Sequence, residues 1–162
     1  MSGEGSPDQQ IPDGVGLRVV IVAGSWHQQV SDGLIAGAIR LCEAAGADYE
    51  LIRVPGAFEL PVVCARYSKD ADAVVALGVI IRGGTPHFEY VAGAATDGLT
   101  RVALDSGTPV GFGLLTCDDE QQALDRAGLP DSHEDKGWEA AHAALTTVRV
   151  LAVPASTSAP TN

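Results

Sequence analysis

Apolar residues in this chain gather into four short runs, at positions 17–23, 49–54, 73–81 and 110–116. Between and after these runs they recur every three or four positions. The third run, Ala73 through Ile81, has no polar member, which predicts a central strand covered on both faces. Glu50 and Arg53 interrupt the second run and predict a weaker strand. Leu34, Ile35, Ala38, Leu41 and Cys42 have helical spacing, as do Leu60, Val63, Cys64 and Tyr67, and then Val91, Ala94, Ala95, Leu99 and Val102. Ala123, Leu124 and Ala127 predict a short helix, and Trp138, Ala141, Leu145 and Val148 a longer final one.

Strands alternating with helices imply right-handed crossovers and a parallel sheet. The expectation is a three-layer α/β/α, doubly wound domain of flavodoxin-like size with a four-stranded parallel sheet. No segment repeats, so residues 17–153 are expected to form a single domain. Residues 1–16 and 154–162, rich in Gly, Pro, Ser and Thr, are expected as flexible tails.

Composition narrows the function classes. The chain's 162 residues suffice for one core. With 46% hydrophobic and 19% charged residues, it is neither a disordered acidic polymer nor a membrane protein. No apolar run approaches the ~18 residues needed to span a bilayer, and the first residues are not signal-like, so a cytoplasmic location is expected. Cys42, Cys64 and Cys117 are odd in number, widely spaced and without a C-x-x-C pair, which reads as buried inert thiols. His27, His133 and His142 form no cluster with cysteine at metal-ligand spacing, so no metal is expected. A net charge of −11 with no basic stripe excludes nucleic acid as a partner. It does not exclude a small phosphorylated molecule, because backbone N–H groups and a few cations make a local positive site.

Open parallel sheets bind ligands beyond the carboxyl ends of their strands, so the residues following each run carry the chemistry. Ser25, Trp26 and His27 follow the first, and Pro55 to Glu59 the second. Arg82, Gly83, Gly84, Thr85, Pro86 and His87 follow the third. The two glycines allow a tight turn, Thr85 suits an N-cap and Pro86 the first helical position. Free N–H groups at a helix start favour an anion, although an ordinary glycine turn with a capped helix has the same residues. His87, in the first helical turn, is expected to stay neutral and able to accept a proton, or else to be merely exposed. Trp26 offers a flat face to a heteroaromatic ring, or packs in the core. Glu59 accepts hydrogen bonds from ligand hydroxyls, or supplies negative charge at a helix start.

Three stretches resemble the lumazine synthase family: 25–27, 56–61 and, most specifically, GVIIRGGTPHFEYV at 78–91. Residues 113–116, EQQALDRAG at 120–128, and Asp135, Lys136 and Gly137 follow in that family's order and spacing, so the resemblance spans about 17–150. It implies condensation of 5-amino-6-(D-ribitylamino)uracil with 3,4-dihydroxy-2-butanone 4-phosphate, with no cofactor. By the match, Trp26 stacks on the pyrimidine, Ala57, Phe58 and Glu59 bind the ribityl chain, and Val79, Ile80 and Ile81 meet the uracil edge. Gly83, Gly84 and Thr85 form the phosphate loop with Arg126, and His87 transfers protons. Phe112, Arg126 and the supporting Lys136 come from a neighbouring subunit, so self-association is implied. Gly84 departs from the family's usual larger residue, which removes a side-chain contact but keeps the N–H. The stretch 129–135 is longer than the Gly-rich link of shell-forming members, which favours a homopentamer. A flavin-binding module of the same fold and a shell protein without catalysis are the competing classes, and Arg126 together with His87 favours the enzyme.

Overall fold

The structure, a computed structural model, describes residues 10–153. Four strands, β1 (Arg18–Gly24), β2 (Asp48–Val54), β3 (Ala73–Ile81) and β4 (Val110–Cys117), form one sheet in the order β2-β1-β3-β4. Every neighbouring pair is parallel. Five helices connect or follow them: α1 (Gln28–Ala45), α2 (Leu60–Tyr67), α3 (His87–Ser106), α4 (Glu120–Leu124) and α5 (Lys136–Ala152). The expected four-stranded, three-layer α/β/α flavodoxin-like architecture is the one observed.

The twofold period of the strands sorts their side chains into two layers. Val19, Ile21 and Ala23 of β1 and Ala73, Val75 and Leu77 of β3 pack under α1 and α5. Val20 and Val22, with Val74 and Ala76, pack under α2 and α3. The central run of β3 is buried on both faces for this reason. By contrast β2 is an edge strand whose residues are mostly exposed, in keeping with its charged members. On β4, Gly111 and Gly113 lie beneath α5, and a Cβ on Gly111 would come within 2.3 Å of the Ala140 carbonyl oxygen.

Two expectations need adjusting. Thr85 does not cap α3: the helix begins at His87, its N-cap is Pro86, and no side chain caps it. The fixed proline φ already sets the chain for the first turn, so the start shifts by one residue. The short fourth helix ends at Leu124, and Ala127 lies beyond it in a turn, its N–H donating to the Leu124 carbonyl at 3.2 Å.

The tails expected at 1–9 and 154–162 lie outside the described residues. Part of the first expected tail, residues 10–16, is held against the helices. The Gly14 N–H donates to the Ala45 carbonyl at 2.8 Å, and Arg149 Nε donates to the Asp13 carbonyl at 2.6 Å. Among the described residues no helix is long and apolar enough to cross a membrane.

Candidate functional site

The strand order reverses its direction of growth between β1 and β3, because β2 is added on one side of β1 and β3 on the other. At such a switch point the connecting helices leave on opposite faces and open a crevice at the strand ends. A cavity of about 830 Å³ lies there. Trp26, Ala57, Phe58, Glu59, Val79, Ile80, Ile81 and His87 all line it.

Each group is set by its local structure. The corner after β1 is held by buried Ser31, whose hydroxyl donates to the Gly24 carbonyl at 2.7 Å, and by Ser25, whose hydroxyl donates to the Val54 carbonyl at 2.8 Å. His27 caps α1 with φ +53°, the one non-glycine residue in left-handed backbone among the described residues. That conformation costs of order 1–3 kcal/mol and is tolerated where surrounding contacts over-determine it. It follows Trp26, whose indole stands 70% exposed on the cavity wall. A 3-10 turn, Ala57–Glu59, then carries Phe58 and Glu59 into the cavity at the start of α2. Gly56 passes so near these groups that a Cβ there would lie 3.3 Å from Glu59 Oε2 and 3.4 Å from Trp26 Cδ1.

His87 is the first residue of α3 and is exposed at the cavity rim. Tyr90, Val91 and Ala94 line the same wall. With His87 they occupy one helical face at i, i+3, i+4 and i+7. Val91 and Ala94 share the helical spacing of Ala95, Leu99 and Val102 but face this cavity. Only the last three are buried.

Beside the cavity, Gly83, Gly84 and Thr85 border a hollow of about 400 Å³ with Arg82, Pro86 and Glu89. Arg82 Nε donates to Asp118 Oδ1 at 2.9 Å and its Nη1 donates to Glu89 Oε1. Its guanidinium lies 4.2 Å from the centre of the Phe88 ring. The bond to Arg82 holds the Glu89 and Asp118 carboxyls below their usual range, and the two acceptors raise the guanidinium further. The cluster therefore stays ionised at neutral pH, and falling pH breaks it only below the ordinary carboxylate range. Sequence reasoning missed these groups as a set because Asp118 and Glu89 belong to different segments.

Phe112, Arg126 and Lys136 are not brought into the cavity by this single chain. Phe112 is half exposed on β4 and faces a groove formed with Leu99, Ala103 and Leu104 of α3. Arg126 follows α4, and its Nη1 donates to the Gln122 carbonyl at 2.8 Å. Lys136 Nζ pairs with Glu134 and, at 2.7 Å, with Glu139. Burial works against its charge, but the two carboxylates outweigh it and hold the ammonium above its ordinary range. An ammonium so held is a poor nucleophile, so electrostatic support suits Lys136 better than Schiff-base chemistry.

The family model described as 6,7-dimethyl-8-ribityllumazine synthase matches residues 16–152. A protein of that name from Leifsonia xyli subsp. xyli is 69% identical, with 93% of this chain and 97% of the relative covered. Another from Clavibacter sepedonicus is 66% identical over 93% and 96% of the two chains. One from Cutibacterium acnes is 59% identical over 92% and 90%.

Proposed function

Because the chain belongs to the 6,7-dimethyl-8-ribityllumazine synthase family, we propose that the switch-point cavity is where it joins its two substrates. The enzyme condenses 5-amino-6-(D-ribitylamino)uracil with 3,4-dihydroxy-2-butanone 4-phosphate, giving 6,7-dimethyl-8-ribityllumazine, phosphate and water, the penultimate step of riboflavin biosynthesis. The observation that carries the site reading is the meeting of Trp26, the 57–59 turn, the end of β3 and His87 around one cavity beside an open glycine loop.

In this reading the pyrimidine stacks on Trp26, its edge meets the backbone of Val79, Ile80 and Ile81, and Ala57, Phe58 and Glu59 take the ribityl hydroxyls. The phosphate lies at Gly83, Gly84 and Thr85, in front of the positive end of the α3 dipole. The substrate amine attacks the ketone carbon and water leaves as an imine forms. Loss of phosphate, isomerisation and ring closure with a second dehydration follow. His87, close to both halves, moves the protons. Holding two reactants together is the larger effect, about 7–11 kcal/mol in well-oriented cases. Acid–base help adds about 10²–10⁴-fold. No covalent enzyme adduct is required.

The reading includes a homopentamer in which Phe112, Arg126 and Lys136 reach a neighbour's cavity. Two observations support it. These three residues lie outside the cavity of their own chain, and the α2–α3 side leaves Val62, Tyr90, Leu104 and Phe112 exposed. The stretch 129–135 is tied down locally, with the Gly128 N–H donating to the Glu134 carbonyl at 3.0 Å and the Leu129 N–H to Ser132 Oγ at 3.0 Å. A phosphate ester does not cross a lipid bilayer unaided, so the reading places the enzyme in the cytoplasm.

Supplying both substrates and following the fluorescent lumazine tests the proposal. Product that requires both substrates and falls away in Trp26→Ala is the expected result. Product formation indifferent to Trp26 and His87 alike would remove the site from this cavity.

A further inference from the structure

The segment between β3 and α3 has little to hold it. A Cβ at Gly83 or at Gly84 would find no neighbouring atom within 4 Å, and two adjacent glycines leave the backbone wide freedom. A loop meant to aim N–H groups at an anion loses affinity if it must be ordered on binding. Its two ends are nevertheless tied. The Arg82 N–H donates to the Cys117 carbonyl at 2.9 Å, which fixes the exit from β3. The Arg82 side chain then reaches Asp118 beyond β4 and Glu89 in the first turn of α3, while Phe88 covers its face. One guanidinium thus spans three elements and closes the loop from 82 to 89.

Charge points the same way. Glu89 borders the hollow that holds Gly83, Gly84 and Thr85, and Asp118 shares its cation. Left alone, both carboxylates would repel a phosphate, working against the uncapped N–H groups at the α3 start.

We propose that Arg82 is a positioning residue for the phosphate-bearing substrate, strapping the ends of the 83–86 loop together and cancelling the two carboxylates beside it. The inference rests on reading residues 83–85 as the phosphate loop. Arginine is needed because Nε and Nη1 serve acceptors on different elements, which a lysine point charge does not reproduce.

The test uses the assembled enzyme, with native, Arg82→Met and Arg82→Lys forms compared by steady-state kinetics. Each substrate is varied in turn, and inorganic phosphate serves as inhibitor. In Arg82→Met, KM for the sugar phosphate and the inhibition constant of inorganic phosphate should both rise about tenfold, while KM for the pyrimidine and kcat change by no more than about twofold. Arg82→Lys should fall between. Added salt should narrow the gap, because it screens the bare carboxylates. A general loss of structure would instead damage both substrates equally, and that result, or an unchanged KM, overturns the role. If Arg82→Met is insoluble, Arg82→Lys carries the same comparison, with an expected rise of about threefold. Failure of inorganic phosphate to compete with the sugar phosphate in the native enzyme would sink the phosphate-loop reading itself. Normal competition there, with unaltered constants in both variants, would sink the Arg82 role alone.

Discussion

His87 stands exposed at the rim of the cavity proposed to hold both substrates. On the proposed reading, replacing it with alanine removes proton transfer and leaves both proposed binding regions in place. Single-turnover measurements with both substrates saturating should show His87→Ala slowed by about 10²–10⁴-fold with residual activity. A variant as fast as the native enzyme would contradict the assignment. His87 and Trp26 were legible in sequence because each follows a strand run, where an open sheet places ligands. Tyr90 was not singled out, since an aromatic residue at helical spacing reads equally as core. The cysteines behave as their apolar setting predicts. All three are buried, and burial pushes the Cys42 and Cys64 thiols up to about 11 and about 12. Thiolate is the reactive form, and raised values keep it scarce at pH 8. A disulfide reagent at pH 8 should therefore label the native protein at neither Cys42 nor Cys64, and label both once denaturant is added.

At the scale of elements, the contact between α1 and α5 depends on two glycines. A Cβ on Gly137 would lie 1.9 Å from the Leu34 carbonyl oxygen, and one on Gly37 2.2 Å from Asp135 Oδ1. Neither neighbour can step aside cheaply, because the first is helix backbone and the second is bound. Asp135 caps α5 by accepting from the Trp138 N–H at 3.0 Å and also pairs with Arg40 of α1. Gly137→Ala should thus force the helices apart and cost about 1–3 kcal/mol or somewhat more. Thermal unfolding would register this as a fall of several degrees, and an unchanged midpoint would show the contact to be softer than it stands. The α1–α5 pairing was not readable from sequence. The spacing of apolar residues identifies each helix and its buried stripe, but nothing local says which helix lies beside which. The start of α3 illustrates a finer limit. Threonine before proline suits a cap in isolation, yet the proline ring set the boundary instead.

At the scale of the whole molecule, the proposed site is divided between chains, and that division is testable without a structure of the assembly. Arg126→Ala and His87→Ala each damage one contribution. Co-refolded as a mixture, they should form some interfaces that pair an intact His87 with an intact Arg126, and so recover activity that neither has alone. Recovery absent from a well-assembled mixture would mean that each chain uses its own arginine. The native particle should have five times the 16.6 kDa mass of the chain, read by native mass spectrometry.

By itself the sequence determined the alternation of elements, the parallel sheet, the strand with two buried faces and the placing of unusual residues at strand ends. These follow from periodicity and turn chemistry, which any short window of chain displays. Only the tertiary structure decided the order β2-β1-β3-β4, and with it the switch point that brings Trp26, Glu59 and His87 around one cavity. It also decided that Arg82 bridges Glu89 and Asp118, while Arg126 stays apart from its own chain's cavity. Such meetings depend on how distant segments pack across a shared sheet, and that information is spread over the whole core.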